Sequence, residues 1–577
     1  MGLMYSWKFL SLVFVAVFAN FNGLNYAEKA PKFSFIREAT SAPEVSFYDY
    51  IIIGGGTAGC PLAATLSTGD AKVLVLERGG SPYTNTTKIR MENFLSTLSD
   101  NSPDSFSQAF ISEDGVPNNR ARVLGGGTVI NVGFYGRAEP SFLKQAGVEE
   151  AAAKDAYAWV EKKVVHKPVA FEWQWAVRRG LLEVGVLPDN GFTYAHINGT
   201  KTSGTIFDTN GNRHTAADLL QYANPKRIKV YLHAVVHKIT FATKDGSRPK
   251  AEGVIFYDAN GRKHTAYLKK VSNRGSEIVL SAGAIGSPQL LMLSGIGPAA
   301  PLHSLGIKVV LDQPMVGQRM ADNPLYGLIM PYTKSIPLST ATVVGILDKI
   351  YIETLNGYDF SSLSVGSAAP TQSSKPFQEA SANSTTNLGF ILGKFKGPIS
   401  EGYLELQSTN VSDNPNVRFN YYQAEEDLRR CVHGMKTIIN VLNSESLSRY
   451  RFRNTTTREL LEMMVNMQVN LRPRHPNATT SLEQYCIDTV MTFWHYHGGC
   501  RIGKVVDRDY KVIGVESLRV IDASTFAFSP GTNPQATIMM LGRSIGLRIR
   551  RSRRRRSNFL SYNFPLKVDK KKLFQAN

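Results

Sequence analysis

The chain has 577 residues, 43% apolar and 20% charged, a balance that excludes a disordered polypeptide and exceeds what one small domain needs. Its formal charge of +19 invites a nucleic-acid reading, but seven Arg, four Lys and one Asp after Leu547 carry +10 of it. The remaining body is mildly basic and has no basic repeat with interleaved aromatics, so no nucleic-acid partner is expected and the tail reads as solvated.

In chain order, the first element is an export signal. Lys8 precedes the apolar run "FLSLVFVAVFA", and residues 1–27 read as a signal peptide whose apolar core is too short to span a membrane. No later stretch approaches about 18 uninterrupted apolar residues. The mature protein is therefore expected without a membrane span, secreted or lumenal. Six N-x-S/T sequons, at Asn85, Asn198, Asn383, Asn410, Asn454 and Asn477, agree with export. Four cysteines do not make a disulfide scaffold. Cys60 and Cys500 sit inside tight glycine motifs, which leaves Cys431 and Cys486 as candidates for one bridge. No zinc-like spacing occurs, and no metal is expected.

"YDYIIIGGGTAGCPLAATLS" follows, beginning at Tyr48. An apolar strand runs into Gly54, Gly56 and Gly59 in G-x-G-x-x-G spacing, then a segment of helical composition, then the strand "KVLVLERG" ending at Glu77. Gly54 permits a tight turn, Gly56 a close approach to a pyrophosphate, and Gly59 close packing of helix on sheet. The helix N-terminus offers free N–H groups to phosphates, and Glu77 can accept from an adenosine ribose. A strand before and an acid after make this a dinucleotide site rather than an incidental glycine turn. "ARVLGGGTVINVGFYGR", residues 121–137, is a second glycine motif, in which Asn131 can offer its amide to a ring edge. "EIVLSAGAIGSPQLLMLSGIG", residues 277–297, is a further strand–turn–helix unit, so the cofactor domain is split along the chain. "GYLELQSTNVSDNPNVRFNYY" is strand-rich with an Asn-Pro turn, and such strands would wall the site. "FWHYHGGCRIG", residues 493–503, places two histidines on one face if extended. Histidine titrates near neutrality and suits a general base.

Four segments, the dinucleotide unit at 50–79, "GGGTVINVGFYGR", "GAIGSPQLLMLSGIG" and the C-terminal "WHYHGGCRIG" with "LRVIDASTFAFSPGTNPQATIMMLGR", are together similar to the glucose–methanol–choline (GMC) flavin oxidoreductases. Within that family they are most similar to the plant branch of HOTHEAD-type proteins and flavin-dependent mandelonitrile lyases. The resemblance implies an α/β (α+β overall) fold, with a split Rossmann-like FAD-binding domain and a substrate domain of mainly antiparallel sheet with helices. FAD-binding pieces are placed at 44–145, 225–330 and 485–546, substrate pieces at 146–224 and 331–484, and a basic tail at 547–577. It implies FAD as cofactor, with Thr57 and Ala58 at the phosphate turn and Glu77 and Arg78 at the ribose. Val123, Gly127, Asn131, Val132, Gly133 and Phe134 would line the flavin, and Val236 the adenine side. Trp494, Ala523, Asn533 and Pro534 would approach from the other end. The family pattern H-x-x-G-x-x-x-x-G selects His495, with Gly498 and Gly503, as base, and leaves His497 a structural neighbour. Asn533 is the second active-site position. Lyases of the branch carry histidine there, and asparagine cannot take up a proton. The implied activity is oxidation of the CH–OH group of a small-molecule alcohol, possible substrates including a long-chain ω-hydroxy fatty acid, by a monomer. The electron acceptor is not specified. Hydroxynitrile cleavage over a structural FAD and a catalytically silent secreted flavoprotein are the alternatives.

Overall fold

The computed structural model describes residues 30–563 apart from 244–245, 270–274, 333, 359–386 and 453–454, with side chains to residue 555. The signal peptide, the sequons at Asn383 and Asn454 and the end of the tail lie outside the described residues. From Phe33 on, the chain packs as one unit.

Six short strands form a wholly parallel sheet in the order Ile36–Glu38, Ile228–Leu232, Val73–Leu76, Tyr50–Ile53, Glu277–Leu280, Leu518–Val520. The four residues of the Tyr50–Ile53 and Val73–Leu76 strands are all buried, as expected for strands covered on both faces. Register brings Ile53, Leu76 and Leu280 level, so Gly54, Glu77 and Ser281 emerge together at the carboxyl edge. In open parallel sheets that edge is where ligands bind.

A second sheet has seven strands, in the order Met491–Thr492, Pro324–Tyr332, Asn387–Phe395, Ile350–Tyr358, Val343–Ile346, Gly199–Thr202, Asp189–Phe192. All its pairs are antiparallel except the last. The fold is therefore mixed α/β with the expected parallel and antiparallel sheets. Two details differ from the sequence reading. The Pro324–Tyr332 strand runs across position 330 and belongs wholly to the antiparallel sheet. The strands of the 402–422 segment, Gly402–Glu405 and Asn416–Arg418, pair in a separate three-stranded sheet, and the segment reaches the cavity wall only through Val411 and Ser412 of the turn between them.

The last helix, Gln535–Asn563, packs along the helix Gly59–Ser67. It corrects the expectation of a solvated tail. It continues well past Leu547, and Arg553 is buried with ion pairs to Asp49 at 2.8 Å and Asp70 at 3.2 Å. Cys431 and Cys486 are bonded, joining the helices Glu425–Asn443 and Leu482–Asp488, while Cys60 and Cys500 are buried thiols. The sequon asparagines 85, 198, 410 and 477 are exposed.

Candidate active site

One large cavity of about 620 Å³ lies between the carboxyl edge of the parallel sheet and the face of the antiparallel sheet. Its first wall is glycine. Gly54 (φ +96°) turns the chain so tightly that a Cβ there would stand 2.5 Å from the Ser281 carbonyl oxygen. Gly126 (φ +60°) brings the second glycine loop against the first, where a Cβ would meet Gly56 Cα at 2.8 Å. A Cβ on Gly56 or Gly127 meets nothing closer than 3.7 Å, so their bare faces are open to the cavity they line. The helix that starts at Gly59 has no side chain capping its first turn, which leaves backbone N–H groups for a ligand.

Glu77 is 5% exposed and bonded at both oxygens, accepting from Gly55 N at 2.9 Å and Gly79 N at 2.8 Å. Burial raises its pKa, with those N–H groups opposing. The carboxylate thus braces the glycine loop in addition to facing the cavity. Asp522, absent from the sequence reading, does the same for the third turn: it accepts from Gly283 N at 2.9 Å and Ser287 Oγ at 2.5 Å.

Of the residues expected at the site, Gly54, Gly56, Thr57, Ala58, Glu77, Arg78, Val123, Gly127, Asn131, Val132, Phe134, Val236, Trp494, His495, Ala523, Asn533 and Pro534 all line this cavity. Gly59 lies behind the wall, its Cα close against the Gly54 carbonyl, in the packing position its spacing indicated. Gly133 is also off the wall, because its open side is taken by the Phe207 ring, 2.4 Å from where a Cβ would stand. The Asn131 amide is largely spent on the protein. Its Nδ2 donates to Gln535 Oε1 at 2.9 Å, and its Oδ1 accepts from Gly133 N and Arg213 Nη1, both at 3.0 Å. One N–H remains for a ring edge.

The opposite wall carries the proton chemistry. His495 is held by Asp322, whose Oδ1 accepts the His495 backbone N–H at 2.9 Å and whose Oδ2 accepts from Thr492 Oγ1 and Tyr421 OH, both at 2.6 Å. Between Thr492 and His495 the backbone of Trp494 is left-handed, φ +55°, a strained conformation for a bulky residue. His495 lines the cavity. His497 does not, and its Nδ1 bonds back to the His495 carbonyl at 2.9 Å. Burial, then the positive charge of Lys394, then His497 hold His495 well below the usual histidine pKa. Burial pulls His497 down to about 4. Asn533 donates from Nδ2 to Glu353 Oε2 at 3.2 Å, while its buried Oδ1 has no partner.

Sequence reasoning missed three further features. Arg120 is buried on the cavity wall, bonded to Gln289 Oε1 at 3.1 Å through Nη1, with Nε and Nη2 unpartnered. Asp322 and Glu353 carried no motif. The cavity also has apolar lining from Phe94, Leu98, Ile329, Leu355, Phe390, Met464 and Met467.

A bare-glycine cradle, an uncapped helix start and an unpaired buried guanidinium together fit a ligand that brings negative charge to the middle of the cavity. The residues present therefore fit an adenine dinucleotide.

Two family models match, both described as GMC oxidoreductase: the N-terminal one over residues 48–325 and the C-terminal one over 398–542. The protein HOTHEAD of Arabidopsis thaliana is 48% identical over 93% of this chain and 94% of its own. A sinalpyl alcohol oxidase of Nesocodon mauritianus is 44% identical over 90% and 91%, and (R)-mandelonitrile lyase 1 of Prunus dulcis is 40% identical over 91% and 92%. Among solved structures, formate oxidase of Aspergillus oryzae superposes with a TM-score of 0.72 at 17% identity, covering 89% of this chain and all of that one.

Proposed function

The chain belongs to the GMC oxidoreductase family and is an FAD-dependent oxidoreductase, and from that premise we propose that it oxidises the terminal CH–OH group of a long apolar alcohol, of the ω-hydroxy fatty acid class. The observation that carries this reading is the meeting of His495 and Asn533 with the glycine cradle in one cavity that is also lined by a set of apolar side chains. Bound FAD supplies a two-electron acceptor for the hydrogen on the carbinol carbon. Gly54, Gly56, Thr57 and Ala58 would hold its phosphates, Glu77 its ribose and Gly127 its flavin, with the parts 44–145, 225–330 and 485–546 acting as its domain, the second of them up to the start of the Pro324–Tyr332 strand.

The chain's own groups do the rest. His495, neutral at working pH, accepts the hydroxyl proton and makes the carbinol carbon a better hydride donor. Asn533 aligns the hydroxyl. The apolar lining of Phe94, Leu98, Phe390, Met464 and Met467 excludes water and holds the chain of the substrate, at about 0.8 kcal/mol per methylene buried. Cyanohydrin cleavage finds less support, because an amide that takes up no proton stands where the lyases of the branch have histidine. The export run at residues 1–27 and the exposed sequons support secretion as a glycoprotein.

Anaerobic stopped-flow mixing with a panel of alcohols tests the reading. A long-chain ω-hydroxy fatty acid should bleach the flavin faster than aromatic alcohols do. His495→Ala should slow the bleaching by at least about a hundredfold with flavin content unchanged. Cyanide release from mandelonitrile without any bleaching would replace this reading with the lyase. Neither activity, with FAD in place, would leave a binding role.

A further inference from the structure

The antiparallel sheet presents an ionisable group to the cavity that the mechanism above does not use. Glu353 lies on the Ile350–Tyr358 strand opposite Leu392 of Asn387–Phe395. Strand alternation puts Tyr351, Glu353 and Leu355 on one face with Phe390, Leu392 and Lys394 of its neighbour. On that face Leu355, Phe390 and Leu392 form apolar cavity wall, and Glu353 interrupts it. The residue is 2% exposed. A carboxyl in such a place is costly unless it is paired. Its neighbouring cation does not close on it. Lys394 donates to the Thr532 carbonyl at 3.1 Å and stands 5.1 Å over the Tyr351 ring and 5.8 Å from that of Phe493. What Glu353 does bond is Asn533, the other active-site position, whose buried Oδ1 has no partner.

We propose that the Glu353 carboxylate is the final acceptor of the substrate's hydroxyl proton, the role resting on the alcohol-oxidising reading above. The O–H bond breaks and His495 takes the proton; because the Asn533 amide takes up none, a water in the cavity that both residues line carries it on to a Glu353 oxygen, which becomes a neutral carboxylic acid. The C–H electron pair leaves as hydride to the flavin that the oxidoreductase activity supplies, and the carbonyl forms. The groups facing Glu353 agree. Burial pushes it up to about 7, opposed first by Lys394 and then by the Asn533 bond. Burial and the same Lys394 charge keep His495 from retaining a proton at that pH. Lys394 itself is pulled down to about 7 by burial, and Tyr351 is pushed far up by burial and the Glu353 charge, so the phenol stays neutral. His196, stacked 6.3 Å from Tyr351, is held at about 4 by burial and then Lys394. Glu353 and Lys394 both titrate near neutral pH, and of the two only Glu353 lines the cavity.

Infrared difference spectroscopy on the holoenzyme, with and without alcohol under anaerobic conditions, reads the proton directly. Bleaching of the flavin should be accompanied by a new carbonyl band of a buried carboxylic acid. The band should be missing in Glu353→Gln and shifted in Glu353→Asp, which keeps a carboxyl. Glu353→Gln should retain its yellow flavin, reduce it about tenfold or more slowly, and lose the fall in rate that the parent shows as pH drops below about 7. If alcohol bleaches the flavin but no such band appears, or if it persists unshifted in both variants, the Glu353 role is wrong and alcohol oxidation stands. If no alcohol bleaches the flavin, the oxidation reading falls and this inference with it. Should Glu353→Gln fail to fold, the parent and Glu353→Asp spectra decide alone.

Discussion

His495 owes its place to a carboxylate that binds its backbone rather than its ring. Asp322 takes three hydrogen bonds, from Thr492, Tyr421 and the His495 N–H, and so pins the strained turn through Trp494. Burial raises its pKa from 3.8 to about 6 in spite of those bonds. The folded protein therefore holds that proton more tightly than the unfolded chain does. The stability this contributes is complete below about pH 4 and is lost as pH rises through 6, about 3 kcal/mol in all. Asp322→Asn, which has no proton to lose, should flatten the rise of melting temperature toward acid between pH 4 and 6. An unchanged slope would show that Asp322 is not the titrating group. At this scale the sequence separated His495 from His497 only by motif spacing, and both are buried. The separation in space comes from the register of Ala321 against His497, which turns one ring away from the cavity and leaves the other on it.

Among elements, the glycine loop and the last helix depend on each other. Gly542 of Gln535–Asn563 passes so close to the phosphate turn that a Cβ would stand 2.3 Å from the Ala58 carbonyl oxygen. At Gly546, one turn on, the nearest atoms are Cβ and Cγ2 of Thr65 at 3.0 Å, a looser fit than at Gly542. Gly542→Ala should therefore cost about 1–3 kcal/mol and lower the flavin content of the purified protein, and Gly546→Ala should cost less. Thermal melts with flavin absorbance compare the two. Equal effects would mean that the helix shifts freely and does not brace the loop. The helix N-terminus was legible as "NPQAT", with Pro534 ahead of a helix-forming run. The contact with residues 58–65 was not, because close approach between helices far apart in sequence leaves no local pattern.

Across the whole molecule, the basic C-terminal run is partly a structural clamp. Arg553 joins the last helix to Asp49 and Asp70, at the start of the Tyr50–Ile53 strand and ahead of Val73–Leu76. A chain ending at Asn563 should melt with the full-length protein. One ending at Leu547 leaves Asp49, which is 3% exposed, with only Lys269 at 3.3 Å and the Lys72 N–H at 2.8 Å, and should lose about 1–3 kcal/mol by denaturant titration. Equal stability of the two would reduce the clamp to a surface pair.

Local chemistry wrote the cofactor side of this protein into its sequence. Tight turns, close backbone approach and helix starts each demand particular residues at fixed spacing, so the glycine motifs, Glu77 and the histidine segment were readable one by one. The substrate side was decided by tertiary structure. Glu353 is one acid in "IYIETLNGY" and Asp322 one in "RMADNP", with nothing in either string to separate them from solvent-facing carboxylates. Only the pairing of distant strands takes them out of water and sets them behind Asn533 and His495, and removal from water is what raises the pKa of both carboxyls.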